Sequence, residues 1–157
     1  MKTFTSTQDL EEDASVIVVG KIISSDRQAK NGSVDYEISV LKIEQVIKGD
    51  LAVGETVNVQ EPGERTEEGD ISIGGAPLLY KNMRVLLYLN APTTDTLDGE
   101  TSYGITGCYL GKFYYDSKGM VHPATEIALE AVQELEDFKE AKSENVALNI
   151  VKDAVTE

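Results

Sequence analysis

Val34 to Pro62, VDYEISVLKIEQVIKGDLAVGETVNVQEP, reads as two long antiparallel strands joined by a tight glycine-containing turn. Tyr36, Ile38 and Val40 alternate with Glu37 and Ser39, the period of a strand with one buried face. Leu41, Ile43, Val46 and Ile47 then break strict alternation, as a long curved strand with a bulge does. Lys48-Gly49-Asp50 and Val53-Gly54-Glu55 punctuate the turn, and Val57 and Val59 resume the alternation.

Working outward toward the N-terminus, Ser15 to Ile23 is a first strand whose valines and isoleucines point both ways. Both of its faces are therefore expected to be covered. Gly20 in its middle predicts a sharp bend or a close approach of backbone. Arg27 to Ser33 reads as a polar hairpin loop with Asn31-Gly32 as its turn signal. Before the strand, Ser6 to Ala14 reads as a short helix capped by Ser6. Leu10 and Ala14 are its buried points, and Gln8, Asp9, Glu11 and Glu12 fill its opening turns.

On the other side, Glu61 to Pro77 is the least regular stretch and is expected to be a long loop, functional or mobile. Its Gly74-Gly75 pair matches no phosphate-binding signature, and its acids do not match the calcium-loop spacing. Leu78 to Asn90 is the next expected strand, with Val85, Leu87 and Leu89 on one face and Arg84, Leu86 and Tyr88 on the other. Ala91 to Ser102 reads as a polar connection with a glycine turn, and Tyr103 to Tyr115 as a last strand region. Asp116 to Gly119 is a hairpin turn leading to Met120-Val121-His122-Pro123. Two helices are expected to close the chain. The first is capped by Thr125, with Ile127, Ala131, Val132, Leu135 and Phe138 on its apolar face; the second is capped by Ser143.

A chain of 157 residues is one domain's worth. It buries about 68–70% of its unfolded surface and needs neither disulfide nor metal to fold. With no Trp and three Phe, its core must be aliphatic with some Tyr. The 28 acids against 14 bases leave a formal charge of −14, and no Lys/Arg cluster offsets it. Polyanionic nucleic acids and anionic membrane surfaces are disfavoured partners for such a chain. Cys108 is the sole cysteine, so no intrachain disulfide can form, and it reads as a small buried hydrophobe. A nucleophilic reading would want His122 as base, but that residue sits in a turn-like context beside a proline. No apolar run is long enough for a membrane span. Residues 1–6 lack an apolar signal segment, which suits a cytosolic protein and equally an exported one whose signal has been removed.

Val16-Ile-Val-Val-Gly-Lys-Ile, Tyr36-x-Ile-x-Val, Val46-Ile-Lys-Gly-Asp-Leu, Gly54-Glu-x-Val-x-Val, Pro62-Gly63 and Met83-Arg-Val-Leu-Leu-Tyr-Leu-Asn together form a strand rhythm over residues 10 to 122. That rhythm resembles bacterial exported domains of unknown function with an OB-like barrel, similar in layout to netrin-like modules and tissue inhibitors of metalloproteinases. The resemblance implies a mainly β fold with flanking helices. Residues 1–123 would form an antiparallel OB-like barrel of five or so strands with a short N-terminal helix, and 124–157 a helical extension packed on it. It implies an exported or cell-surface location, with the cytoplasm as the alternative. Those inhibitors place an N-terminal cysteine on their target's zinc. This chain has none near its N-terminus, so no inhibitory residue carries over.

The expected function is a non-enzymatic binding or interaction module with a protein or glycan partner, without cofactor, metal site or catalytic residues. The candidate contact residues are Glu61 and Arg65 in the long loop, and Tyr103, Tyr109 and Tyr114 together with Tyr115. Tyrosine brings apolar area and a polar tip to an interface, although packing within the barrel explains the same residues. The alternative is a metal-assisted hydrolase using the loop carboxylates. One His and one Cys, not closely spaced, fall short of the ligands a catalytic zinc site needs.

Overall fold

The computed structural model describes residues 7–66, 69–72 and 78–124. The expected C-terminal helices, the Ser6 cap and the Gly74-Gly75 pair lie outside the described residues. Helix α1 (Thr7–Asp13) ends as Ala14 N donates to Leu10 O at 2.9 Å. Leu10 and Ala14 are buried as expected. Lys48 Nζ donates to Glu11 O at 2.7 Å, which satisfies a last-turn carbonyl and places a cation at the negative end of the helix.

The central pairing is as expected, but the connection is the stretch from Gly49 to Glu55 and not a tight turn. Strands β2 (Val34–Lys48) and β3 (Thr56–Thr66) pair antiparallel from Tyr36↔Pro62 to Lys42↔Thr56. Strand β1 (Val16–Asn31) pairs along the whole of β2, and the register skips Ile47 and Glu44. Each skip is a bulge that increases the local twist, and these two fall where alternation breaks in the sequence. Two further shifts, between Ile22 and Ser24 and between Ser24 and Arg27, lie opposite the alternating part of β2. Val16 to Val19 are buried on both faces.

Strand β1 runs straight through the stretch expected as a loop at Arg27 to Ser33, and the turn is only Gly32-Ser33. The polar side chains there are exposed, so they gave no strand pattern, while the backbone still pairs up to Asn31↔Val34. The same physics corrects the reading of Glu61 to Pro77. Glu61 to Thr66 complete β3, and Gly63 to Thr66 pair with β4 (Gly69–Ser72) as a hairpin. A ladder is built from backbone N–H and C=O groups, so glycine- and acid-rich sequence can pair where a neighbouring strand supplies partners.

Three further stretches differ from expectation. Strand β5 (Arg84–Leu89) starts six residues later than the expected start at Leu78. Leu78 and Leu79 are buried in coil, and a turn follows in which Met83 N donates to Tyr80 O. Ala91 to Ser102 is no plain connection: β6 (Thr93–Leu97) and β7 (Glu100–Gly104) form a hairpin closed by Asp98-Gly99. Both turn residues have positive φ, 43° and 95°, the two-residue hairpin geometry that Asp-Gly favours. The region Tyr103 to Tyr115 is interrupted by a 3₁₀ turn at Cys108–Gly111 before β8 (Lys112–Tyr115). The hairpin expected at Asp116 to Gly119 is present and leads to β9 (Val121–Pro123).

Among the described residues the fold is mainly β, with eight strands in the order β6-β7-β3-β2-β1-β5-β8-β9 and β4 pairing β3 off this path. This corrects the expectation of an antiparallel barrel of five or so strands in strand number and strand direction. The strand path has two ends, and β3 and β7 run parallel. Parallel pairing is open to β7 because the chain reaches it from β3 through β4, β5 and β6 and not by a hairpin. Beyond β7 the chain bridges Leu89↔Ile105, with Asn90 N donating to Gly104 O at 2.9 Å and Thr106 N to Tyr88 O at 2.8 Å.

The core is aliphatic with tyrosines, as the composition required: Val18, Leu41, Val59 and Leu87 meet Tyr88 and Tyr114, all buried. Each such aliphatic side chain contributes about 1.5–3 kcal/mol by leaving water. No helix among the described residues is long and apolar enough to cross a membrane.

Candidate functional site

A cleft of about 400 Å³ opens where β2, β3 and β7 meet, lined by Val40, Glu55, Thr56, Val57, Asn58, Thr101 and Tyr103. Its walls are held by the sheet, with Val40↔Asn58, Leu41↔Val57 and Asn58↔Ser102 as direct partners. Asn58 Nδ2 donates to Thr101 O at 3.1 Å and ties the floor to the incoming strand. Beside it Ser102 Oγ donates to Gln60 Oε1 at 2.7 Å.

The rim is set by an ordered turn. Glu55 N donates to Ala52 O at 3.1 Å, and Ala52 N donates to Glu55 Oε1 at 3.0 Å. Ile43 N donates to Glu55 O at 2.9 Å and anchors the turn to β2. The second oxygen of Glu55 takes no ion pair among the described residues. Tyr103 is 8% exposed, and burial, with the Glu55 carboxylate adding to it, pushes its hydroxyl above the ordinary range. The cleft therefore presents a carboxylate, an amide oxygen and three hydroxyls on a frame held by strand pairing, with no Lys, Arg or His among its lining residues.

The remaining candidates are placed elsewhere. Glu61 is not a loop residue but a buried one. Its Oε2 accepts from Lys112 Nζ at 2.6 Å, its Oε1 accepts from Leu79 N at 2.8 Å, and both side chains of the ion pair are 4% exposed. Its cross-strand neighbour Glu37 is also buried and accepts from Gln28 Nε2 at 2.8 Å. Tyr114 lies in the core with no exposed surface, and Tyr115 is buried beside it. Arg65 sits opposite Asp70 in the β3–β4 pairing, and Tyr109 belongs to the 3₁₀ turn. Their side chains, and that of Cys108, lie outside what is described. Of the sequence candidates whose side chains are described, the structure brings only Tyr103 to an open cleft.

Glu55, Asn58 and Thr101 were not singled out by sequence. Val53-Gly54-Glu55 was visible as turn punctuation, but nothing in it showed that a strand more than forty residues later would come alongside. Among the described residues no group of three or more His, Cys, Asp or Glu converges as a cation site. His122 Nε2 lies 2.7 Å from Asp116 Oδ2, while Asp116 Oδ1 accepts from Lys118 N and Met120 N at 2.8 and 2.9 Å. This cluster closes the β8–β9 hairpin.

Burial pushes the Asp116 carboxyl up, but the bonds from His122, Met120 and Lys118 outweigh it and hold it below the usual value. A carboxyl lowered on folding supports the hairpin fully above its unfolded value, near pH 4, and that support is lost as the pH falls through the folded value. The Met120 amide resonance should therefore titrate with a midpoint under the ordinary aspartate value, and Asp116→Asn should abolish the transition. A midpoint at or above that value would count against the assignment.

No known protein family matches the sequence, and no curated protein matches it.

Proposed function

We propose that the chain is a non-enzymatic binding module whose contact site is the β2–β3–β7 cleft. The observation that carries this reading is the set of hydrogen-bonding groups left available there. Glu55 has an oxygen without an ion pair, and the Thr56 and Thr101 side chains are exposed on a frame held by strand pairing. A preformed concave site with a few convergent polar groups is the usual form of a binding site. The lining residues include no His, Cys or Lys to activate the Thr or Tyr hydroxyls beside them. The alternative reading, metal-assisted hydrolysis by the loop carboxylates, loses Glu61 to its buried pairing with Lys112.

The fold proposed to carry the site is a small OB-like barrel. The Leu89↔Ile105 bridge, with its flanking backbone bonds, supports counting Gly104 to Thr106 as an extension of β7 that pairs with β5. On that count β1-β2-β3-β7-β5 returns to β1 as a ring. An exported or cell-surface setting follows from the resemblance in strand rhythm and forms part of the proposal.

A photo-crosslinking residue introduced at Thr56 or at Thr101 tests the site. Both positions are expected to yield the same discrete adduct from the envelope fraction of the source cell, while the same probe at the exposed Lys118 yields none. Labelling at Lys118 equal to that at both cleft positions, or no adduct at either, would overturn the assignment.

A further inference from the structure

The acceptors in the cleft point to a particular chemistry. Glu55 has one oxygen engaged by Ala52 N and one open, and Asn58 uses its amide N–H on Thr101 O, which leaves its Oδ1 as an acceptor. Thr56, Thr101 and Tyr103 add hydroxyl oxygens. No lining group is a permanent donor like Lys or Arg, so an anionic ligand finds no counter-charge, and the −14 chain repels it at longer range. A group that only donates and carries positive charge complements each of the polar lining groups.

The second observation lies on the rim. Val53, two residues before Glu55, is 68% exposed, the most exposed large apolar side chain among the described residues. It is not on a loose strap: Gly54 N donates to Ile43 O at 2.7 Å, and the Ala52–Glu55 turn holds it beside the carboxylate. An apolar knob fixed next to an acceptor-lined cleft suits a polypeptide in which a basic side chain neighbours an apolar one. A glycan would leave the knob in water.

We propose that the cleft receives an arginine or lysine side chain of a partner protein, its cationic head against Glu55 and an adjacent apolar residue against Val53. This rests on the cleft being the contact site and deepens that reading. Lys42, cross-strand from Thr56 and exposed, is the nearest base in the register and competes electrostatically with the incoming cation.

The test is a nuclear magnetic resonance titration of the labelled chain with acetyl-Ala-Arg-Val-Ala-amide and with its citrulline counterpart, which keeps the shape and removes the charge. The arginine peptide should shift the amides of Glu55, Thr56, Asn58 and Thr101 saturably. Glu55→Gln retains an oxygen for Ala52 N and should weaken binding about tenfold, the size of a charge-assisted hydrogen bond. Lys42→Ala should tighten it a few-fold, and added salt should weaken it. Equal binding of the citrulline peptide, or an unchanged affinity in Glu55→Gln, would overturn the cationic assignment while leaving the cleft a binding site. Shifts at the cleft with a neutral oligosaccharide, and none with the arginine peptide, would do the same. If no probe moves the cleft amides, the cationic assignment fails, and the crosslinks at Thr56 and Thr101 decide the binding reading separately.

Discussion

Lys112→Met is expected to lower the unfolding free energy by about 3–5 kcal/mol, because it strands the Glu61 carboxylate in the interior. Glu61 Oε2 and Lys112 Nζ are 2.6 Å apart, and both side chains are almost wholly withdrawn from water. In such surroundings the carboxylate keeps the Leu79 N–H but loses its counter-charge with little solvent to replace it, so truncating one member costs far more than the pair contributes net. Glu61→Gln combined with Lys112→Met is expected to recover most of the loss. Gln at 61 still offers an oxygen to Leu79 N, and Met fills much of the volume of the lysine stem. Urea unfolding checks this through the midpoint, with the slope unchanged. A single Lys112→Met variant within about 1 kcal/mol of the parent would show that water reaches the site, and the account of the pair as a buried one would fall.

Gly20→Ala is the second large effect, about 3 kcal/mol of destabilisation from one added methyl. A Cβ at Gly20 would stand 2.4 Å from Lys42 O and 2.9 Å from Leu41 Cδ1. The first contact is with backbone that belongs to the β1–β2 ladder, so relief requires the two long strands to part. Gly104→Ala is the control. Its nearest neighbours would be Asn90 Nδ2 at 3.5 Å and Gln60 Nε2 at 3.7 Å, ordinary contact distances. That variant is expected to stay within about 1 kcal/mol of the parent. Comparable losses in both would mean that glycine's backbone freedom, and not the close approach at Gly20, governs the site.

Both residues show how far local pattern reaches. Gly20 was legible: a glycine inside an otherwise valine- and isoleucine-rich strand signals a close backbone approach, and the β1–β2 contact is of that kind. Glu61 was not. It sits among Pro62, Gly63 and further acids, and composition there reads as loop. Its burial depends on Lys112, 51 residues away on β8, and no local signal ties one to the other. Tyr114 was named for its surface-seeking chemistry but lies in the core, and so does its neighbour Tyr115; both faces of β8 are covered there, which no alternation in the chain reveals. The β6–β7 hairpin carried the Asp98-Gly99 signal in plain view. Its flanks Thr93 to Thr96 are polar and gave no apolar alternation to confirm a strand.

By itself the sequence determined the mainly β class, the β2–β3 pair, the bulged far half of β2 where it meets β1, the helix before β1, the aliphatic core and the acidic surface. These follow from periodicity, turn chemistry and composition, which act over a few residues or over the chain as a whole. Only the tertiary structure decided where charge is buried, that β7 lies parallel to β3, and that Glu55, Asn58, Thr101 and Tyr103 share one cleft. Those depend on contacts between segments tens of residues apart, where the backbone ladder and the exclusion of water select the partners, and neither leaves a periodic mark in the chain.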